Sequence, residues 1–227
     1  MFLSYLKKIS LNIKATFSKE SLIGASLFFL VLSSWYVLRP VRNEMAVANV
    51  DDLPYLLAAG AIAMLLINPI YSWVVSKTNL TKIVFYCYSF LILNLMFFLS
   101  TWKFLGIGES VWVGRVFYVW CNVYSFFVVS IFWVVIINIF RNSKTRSFYG
   151  VIMAGGSLGA LFGSEISKRF SDSFDEFGLE FFTLSAAILL FMAMILAMRV
   201  TKSKINQNII EKQNIGGGSF DSIKNAL

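Results

Sequence analysis

The stretch Leu27-Phe-Phe-Leu-Val-Leu-Ser-Ser-Trp-Tyr-Val-Leu-Arg-Pro-Val-Arg-Asn-Glu-Met45 opens as an apolar run long enough to enter a bilayer. It closes on two arginines three residues apart around a proline. An arginine at the bilayer centre costs about 2.5–3.5 kcal/mol on insertion scales, so two of them near one end of a span need a reason. Spacing i, i+3 puts Arg39 and Arg42 on one helical face and predicts guanidinium groups that point the same way. Pro40 predicts a kink or a helix end. Two readings stand. The arginines snorkel to an interface, or they form an anion-attracting patch on a translocation path, with Glu44 as a nearby counter-charge.

The rest of the chain matches that opening. Hydrophobic residues make up 58% of its 227 positions and charged residues 14%, more apolar surface than a soluble domain can hide. The composition therefore predicts an all-α, polytopic membrane helix bundle in contact with the lipid bilayer. There is room for six transmembrane helices of roughly 20 residues. A net charge of +8 would suggest nucleic acid in a soluble chain, but membrane orientation explains it better, and no nucleic-acid partner is expected. Cys87 and Cys121 sit inside apolar runs without metal-ligand spacing, and histidine is absent. No metal site, no cofactor and no catalytic residue is expected, and the chain does not read as an enzyme.

In chain order, apolar residues alternating with Lys7, Lys8, Lys14 and Lys19 predict an interfacial amphipathic helix over 1–20. Spans are expected at 21–41, 55–75, 83–101, 111–139, 148–166 and 180–198, which together make one transmembrane domain over 21–198. Asn68-Pro69 loosens the second span. In the fifth, Gly155, Gly159 and Gly163 recur every four residues and form a helix-packing stripe. Residues 199–227 are polar and carry three successive glycines, as a cytoplasmic tail or linker does. The amino-terminal arm, the loops after spans two and four, and the tail hold 14 of the 20 basic residues, which predicts that both termini are cytoplasmic.

With that orientation Arg39, Arg42 and Arg115 fall near the outer ends of the first and fourth spans, the leading helices of two three-span sets. Guanidinium forks bind phosphate or carboxylate bidentately, so the three suit a small anionic solute. The alternative is structural neutralisation by acids such as Glu44 and Glu165. Asn94 and Asn122 are candidates for hydrogen-bonding the solute, or for bonding across helices. No carboxylate lies well inside a span to carry protons.

Three segments resemble bacterial transporters of the major facilitator superfamily: Tyr36-Val-Leu-Arg-Pro-Val-Arg-Asn-Glu-Met45, Phe127-Val-Val-Ser-Ile-Phe-Trp133 and Phe148-Tyr-Gly-Val-Ile-Met-Ala-Gly-Gly-Ser-Leu-Gly-Ala160. More narrowly, the chain looks like the branch related to ATP/ADP antiporters of plastids and intracellular bacteria. The resemblance implies an antiporter of the bacterial inner membrane working by alternating access. A basic residue that helps bind nucleotide phosphate maps onto Arg42, with Arg39 beside it. The antiporters carry an acidic residue in span four, where this chain has Trp120-Cys121-Asn122. They also have twelve spans, so the resemblance implies an N-terminal half and, as partner, a second six-span half from another chain or a second copy. The competing expectations are a non-transporting membrane interaction subunit, with the glycine stripe as its docking face, and an inactive truncated transporter.

Overall fold

A computed structural model describes residues 18–47, 50–104, 111–140, 148–171 and 174–215. Among them lie six α-helices: α1 (Lys19–Val47), α2 (Leu53–Lys77), α3 (Leu80–Phe104), α4 (Val111–Ile139), α5 (Phe148–Ser171) and α6 (Phe174–Ile215). Most of the arm expected over 1–20, and the glycine linker around 216–218, lie outside the described residues. Five helices, α1 to α4 and α6, are long and apolar enough to cross a membrane. The fifth expected span, α5, falls short in composition because Gly150, Gly155, Gly156, Gly159 and Gly163 dilute its hydropathy. The chain is thus a helical, multi-pass membrane bundle.

Two local expectations change. Pro40 neither ends nor interrupts α1, which continues to Val47, and α2 runs through Pro69 to Lys77. A proline removes one backbone donor, and in a long helix packed by neighbours that single loss is tolerated. The last helix also continues past residue 198 to Ile215, so the first part of the expected tail is helical.

The axis of the bundle is α1. Half of its apolar window lies inside the protein, against 11% for α2, so α1 is the centre and α2 the flank. Lipid tails are as apolar as leucine, so close van der Waals packing and interhelical hydrogen bonds must hold α1 in place. Glycine provides the first. Cβ atoms built on Gly155 and Gly159 would overlap the backbone of Ala25 and Phe29, and one on Gly163 would lie 2.7 Å from the Ser33 carbonyl oxygen. The contacts advance by four residues on both helices, so α1 and α5 run parallel with their backbones touching. Gly156, one position round, makes room for the Phe28 ring, which stacks on Phe132 of α4 at 4.2 Å.

Hydroxyls provide the second. The Ser33 hydroxyl donates to the Gly159 carbonyl at 3.0 Å. Tyr124 donates to Ser34 at 2.6 Å, and Ser34 donates in turn to the Ala186 carbonyl at 2.8 Å, tying α1 to α4 and α6. Every group in this chain is buried, so each bond replaces one that water cannot make.

Gly159→Leu should therefore push α5 off α1. We expect it to cost about 2–3 kcal/mol and to lower the thermal midpoint in detergent by roughly 5 °C or more. Gly150→Ala, which meets nothing within 4 Å, should leave the midpoint unchanged or slightly raised. Equal midpoints for the two variants would remove the glycine contact from the account.

Candidate functional site

The register of α1 on α5 decides where its last turns face. Spacing i, i+7 stacks Arg42 over Trp35 on one side of α1, and spacing i, i+4 puts Tyr118 and Asn122 together on α4. These two faces meet. The Arg42 guanidinium lies over the rings of Trp35 and Tyr118, at 5.4 Å and 5.7 Å from their centroids. Its Nη1 donates to Asn122 Oδ1 at 3.1 Å and its Nη2 to Asn43 Oδ1 at 3.0 Å. From α2, Gly60 closes on the same amide, and a Cβ there would lie 3.1 Å from Asn122 Nδ2.

The electrostatics of this cluster matter more than its contacts. Both side chains that bond the guanidinium are neutral amides, and among the described residues no carboxylate pairs with Arg42. Its charge is therefore without a counter-ion where the last turns of α1 meet α4. In addition, Arg42 Nε is buried without a hydrogen-bond partner. An unmet buried donor costs about 1–3 kcal/mol, which a bound oxyanion would recover. The two ring contacts contribute about 0.5–1 kcal/mol each, enough to orient the cation and too little to replace a counter-ion.

The other arginines do not join it. Arg39 is exposed, with its guanidinium 5.5 Å from the Tyr36 ring centroid, and it lines a polar pocket of about 450 Å³ with Asn43, Glu44, Ser164 and Lys168. The expectation that Arg39 and Arg42 point the same way is corrected: residues three apart differ by about 60° in direction, and these long side chains diverge around Pro40. Asn43 connects the two environments, bonding Arg42 while lining the Arg39 pocket.

Arg115 pairs with Asp52 at the entrance to α2 and lies 4.6 Å from the Trp112 ring centroid. Its neutralising acid is neither Glu44 nor Glu165. The latter pairs with Arg169 one turn along α5, at 2.9 Å. Asn94 donates to the Phe90 carbonyl of its own helix at 2.7 Å and does not line the Arg39 pocket. The structure thus brings together Arg42 and Asn122 and leaves Arg39, Arg115 and Asn94 elsewhere. Gly155, Gly159 and Gly163 are covered by α1 and present no docking face.

Sequence reading passed over Trp35, Asn43, Gly60, Tyr118 and Asp52. For Trp35 and Tyr118 the signal was present as helical spacing to Arg42 and Asn122. For Asp52 only the pairing of α2 with α4 could reveal it.

Residues 99–224, more than half of the chain, match the model of the family described as TLC ATP/ADP transporter. The chain belongs to that family. No curated protein and no solved structure matches it. The matched segment begins near the end of α3 and includes Arg115, Asn122 and the glycine stripe, whereas Arg42 and its neighbours on α1 precede it. The TLC family is one of transporters, which agrees with a multi-pass bundle of long apolar helices.

The Arg115–Asp52 pair gives a direct test of the electrostatics. Asp52→Asn leaves a part-buried cation alone and should lower the thermal midpoint, and the exchange Asp52→Arg with Arg115→Asp should restore most of the loss. Restoration by the exchange distinguishes an ion pair from a packing contact.

Proposed function

We propose that this chain forms one six-helix half of a major-facilitator-type transporter for an anionic solute of the nucleotide class, with Arg42 as the cation that meets the solute's phosphate. The observation that supports this most directly is Arg42 itself, held by two neutral amides and two aromatic rings with one donor unmet. Family membership supplies the solute class, since the family is described as an ATP/ADP transporter. Asn122 holds the guanidinium in place and shares the anion with it. Arg39, in its neighbouring pocket, draws the anion towards Asn43 and Arg42.

Transport by alternating access requires a second six-helix body against which this one rocks. The exposed apolar face of α2, with Tyr55, Leu57, Leu65 and Leu66, supports such a partner or lipid cover. The basic arm, loops and tail support cytoplasmic termini in a bacterial inner membrane. With every carboxylate of the spans near a span end, exchange of one anion for another suits the chain better than proton coupling.

In proteoliposomes containing the complete assembly, Arg42→Ala should abolish nucleotide uptake, and Arg42→Lys should retain a small part of it because a point charge cannot make the bidentate fork. Asn122→Asp should also suppress uptake, since the new carboxylate neutralises Arg42, while the protein stays folded. Full uptake by Arg42→Ala would remove Arg42 from the site.

A further inference from the structure

A second cavity lies on the other face of α4. Tyr118 and Asn122 look towards Arg42, whereas Val119, Val123 and Phe127 look into a cleft of about 900 Å³ walled by α2 and α3. Its walls are almost wholly apolar, with Ala59 and Ala63 on α2 and Cys87 and Phe90 on α3. The charged groups lie at one end, where Asp52, Tyr55, Trp112 and Arg115 line the mouth, and beyond it the polar side chains are Tyr71, Tyr86 and Cys87. There Arg115 Nε is buried and unpartnered even though Nη2 meets Asp52.

We propose that this cleft binds a phospholipid, with an acyl chain between α2, α3 and α4 and its phosphate against the Arg115 guanidinium. The length of the cleft and the chemistry of its lining select this occupant. From Trp112 to Phe127 the cleft runs about 22 Å along α4, longer than the roughly 15 Å of one hydrocarbon leaflet. A nucleotide is disfavoured chemically, because beyond the mouth no charged side chain lines the cleft to meet its phosphates. At the mouth, Trp112 and Tyr55 have the amphipathic rings that settle at headgroup depth, and the spare Arg115 donor faces the lipid phosphate. Because α2 walls this cleft and also meets Asn122 through Gly60, a bound chain props α2 against α4 and holds Gly60 on Asn122.

The test uses the full chain in proteoliposomes containing phosphatidylcholine with a diazirine midway along one acyl chain. After irradiation, labelled positions are mapped by mass spectrometry. Label should concentrate on Cys87, Phe90 and Val123 several-fold above Leu158 and Leu161, which are exposed apolar residues of α5. Ala63→Trp, which fills the cleft, and Arg115→Gln, which removes the phosphate partner, should each reduce cleft labelling while α5 labelling holds. Should Ala63→Trp fail to fold, Ala59→Trp blocks the same channel. Equal labelling of cleft and α5, undiminished labelling in the filled variant, or a bis-maleimide cross-link joining Cys87 of two copies would each overturn the proposal.

Discussion

Everything in this bundle is referred to the contact between the backbones of α1 and α5. Glycine at 155, 159 and 163 lets two helices lie closer than any side chain allows, and the Ser33 hydroxyl fixes their register by bonding Gly159. In lipid no hydrophobic effect drives helices together, so this geometric fit and the Tyr124, Ser34 and Ala186 chain of bonds do that work. Once α1 is fixed in rotation and height, Arg42 has nowhere to go except the face of α4 that carries Tyr118 and Asn122.

The chain then treats its three intramembrane arginines in three ways. Arg115 is neutralised by Asp52, Arg39 is solvated in a polar pocket, and Arg42 is kept charged between aromatic rings and amides. Neutralisation lowers cost and weakens attraction; solvation screens it. Only the third arrangement leaves a part-buried guanidinium without a counter-ion, which is why one arginine rather than a trio carries the functional reading.

Much of this was legible in the sequence, for reasons that can be named. Span positions followed from apolar run length, and 111–139 coincides with α4 because both ends are marked by polar segments. The glycine period showed that a helix would approach closely, but not that α1 was that helix, since the parallel partner is more than a hundred residues away. Arg42 and Asn122 were visible as polar groups out of place in lipid. Their grouping with Arg39, Arg115 and Asn94 was not justified, because depth alone says nothing about rotation. Asn94 illustrates this: it satisfies itself on the Phe90 carbonyl one turn back, a local option that spacing cannot reveal. The helix end offered at Pro40 does not occur because the sequence shows the missing donor and hides the neighbours that compensate for it.

Membership of the TLC ATP/ADP transporter family and an unneutralised cation in the membrane lead to the same account, in which a phosphate-bearing solute meets Arg42. The most direct measurement is NMR of the full chain in lipid nanodiscs with isotope-labelled arginine side chains, each assigned by substitution, during titration with ATP. The account predicts that the Arg42 side-chain resonances shift saturably while those of the Asp52-paired Arg115 stay in place. An Arg42 signal that does not move at any ATP concentration would contradict it.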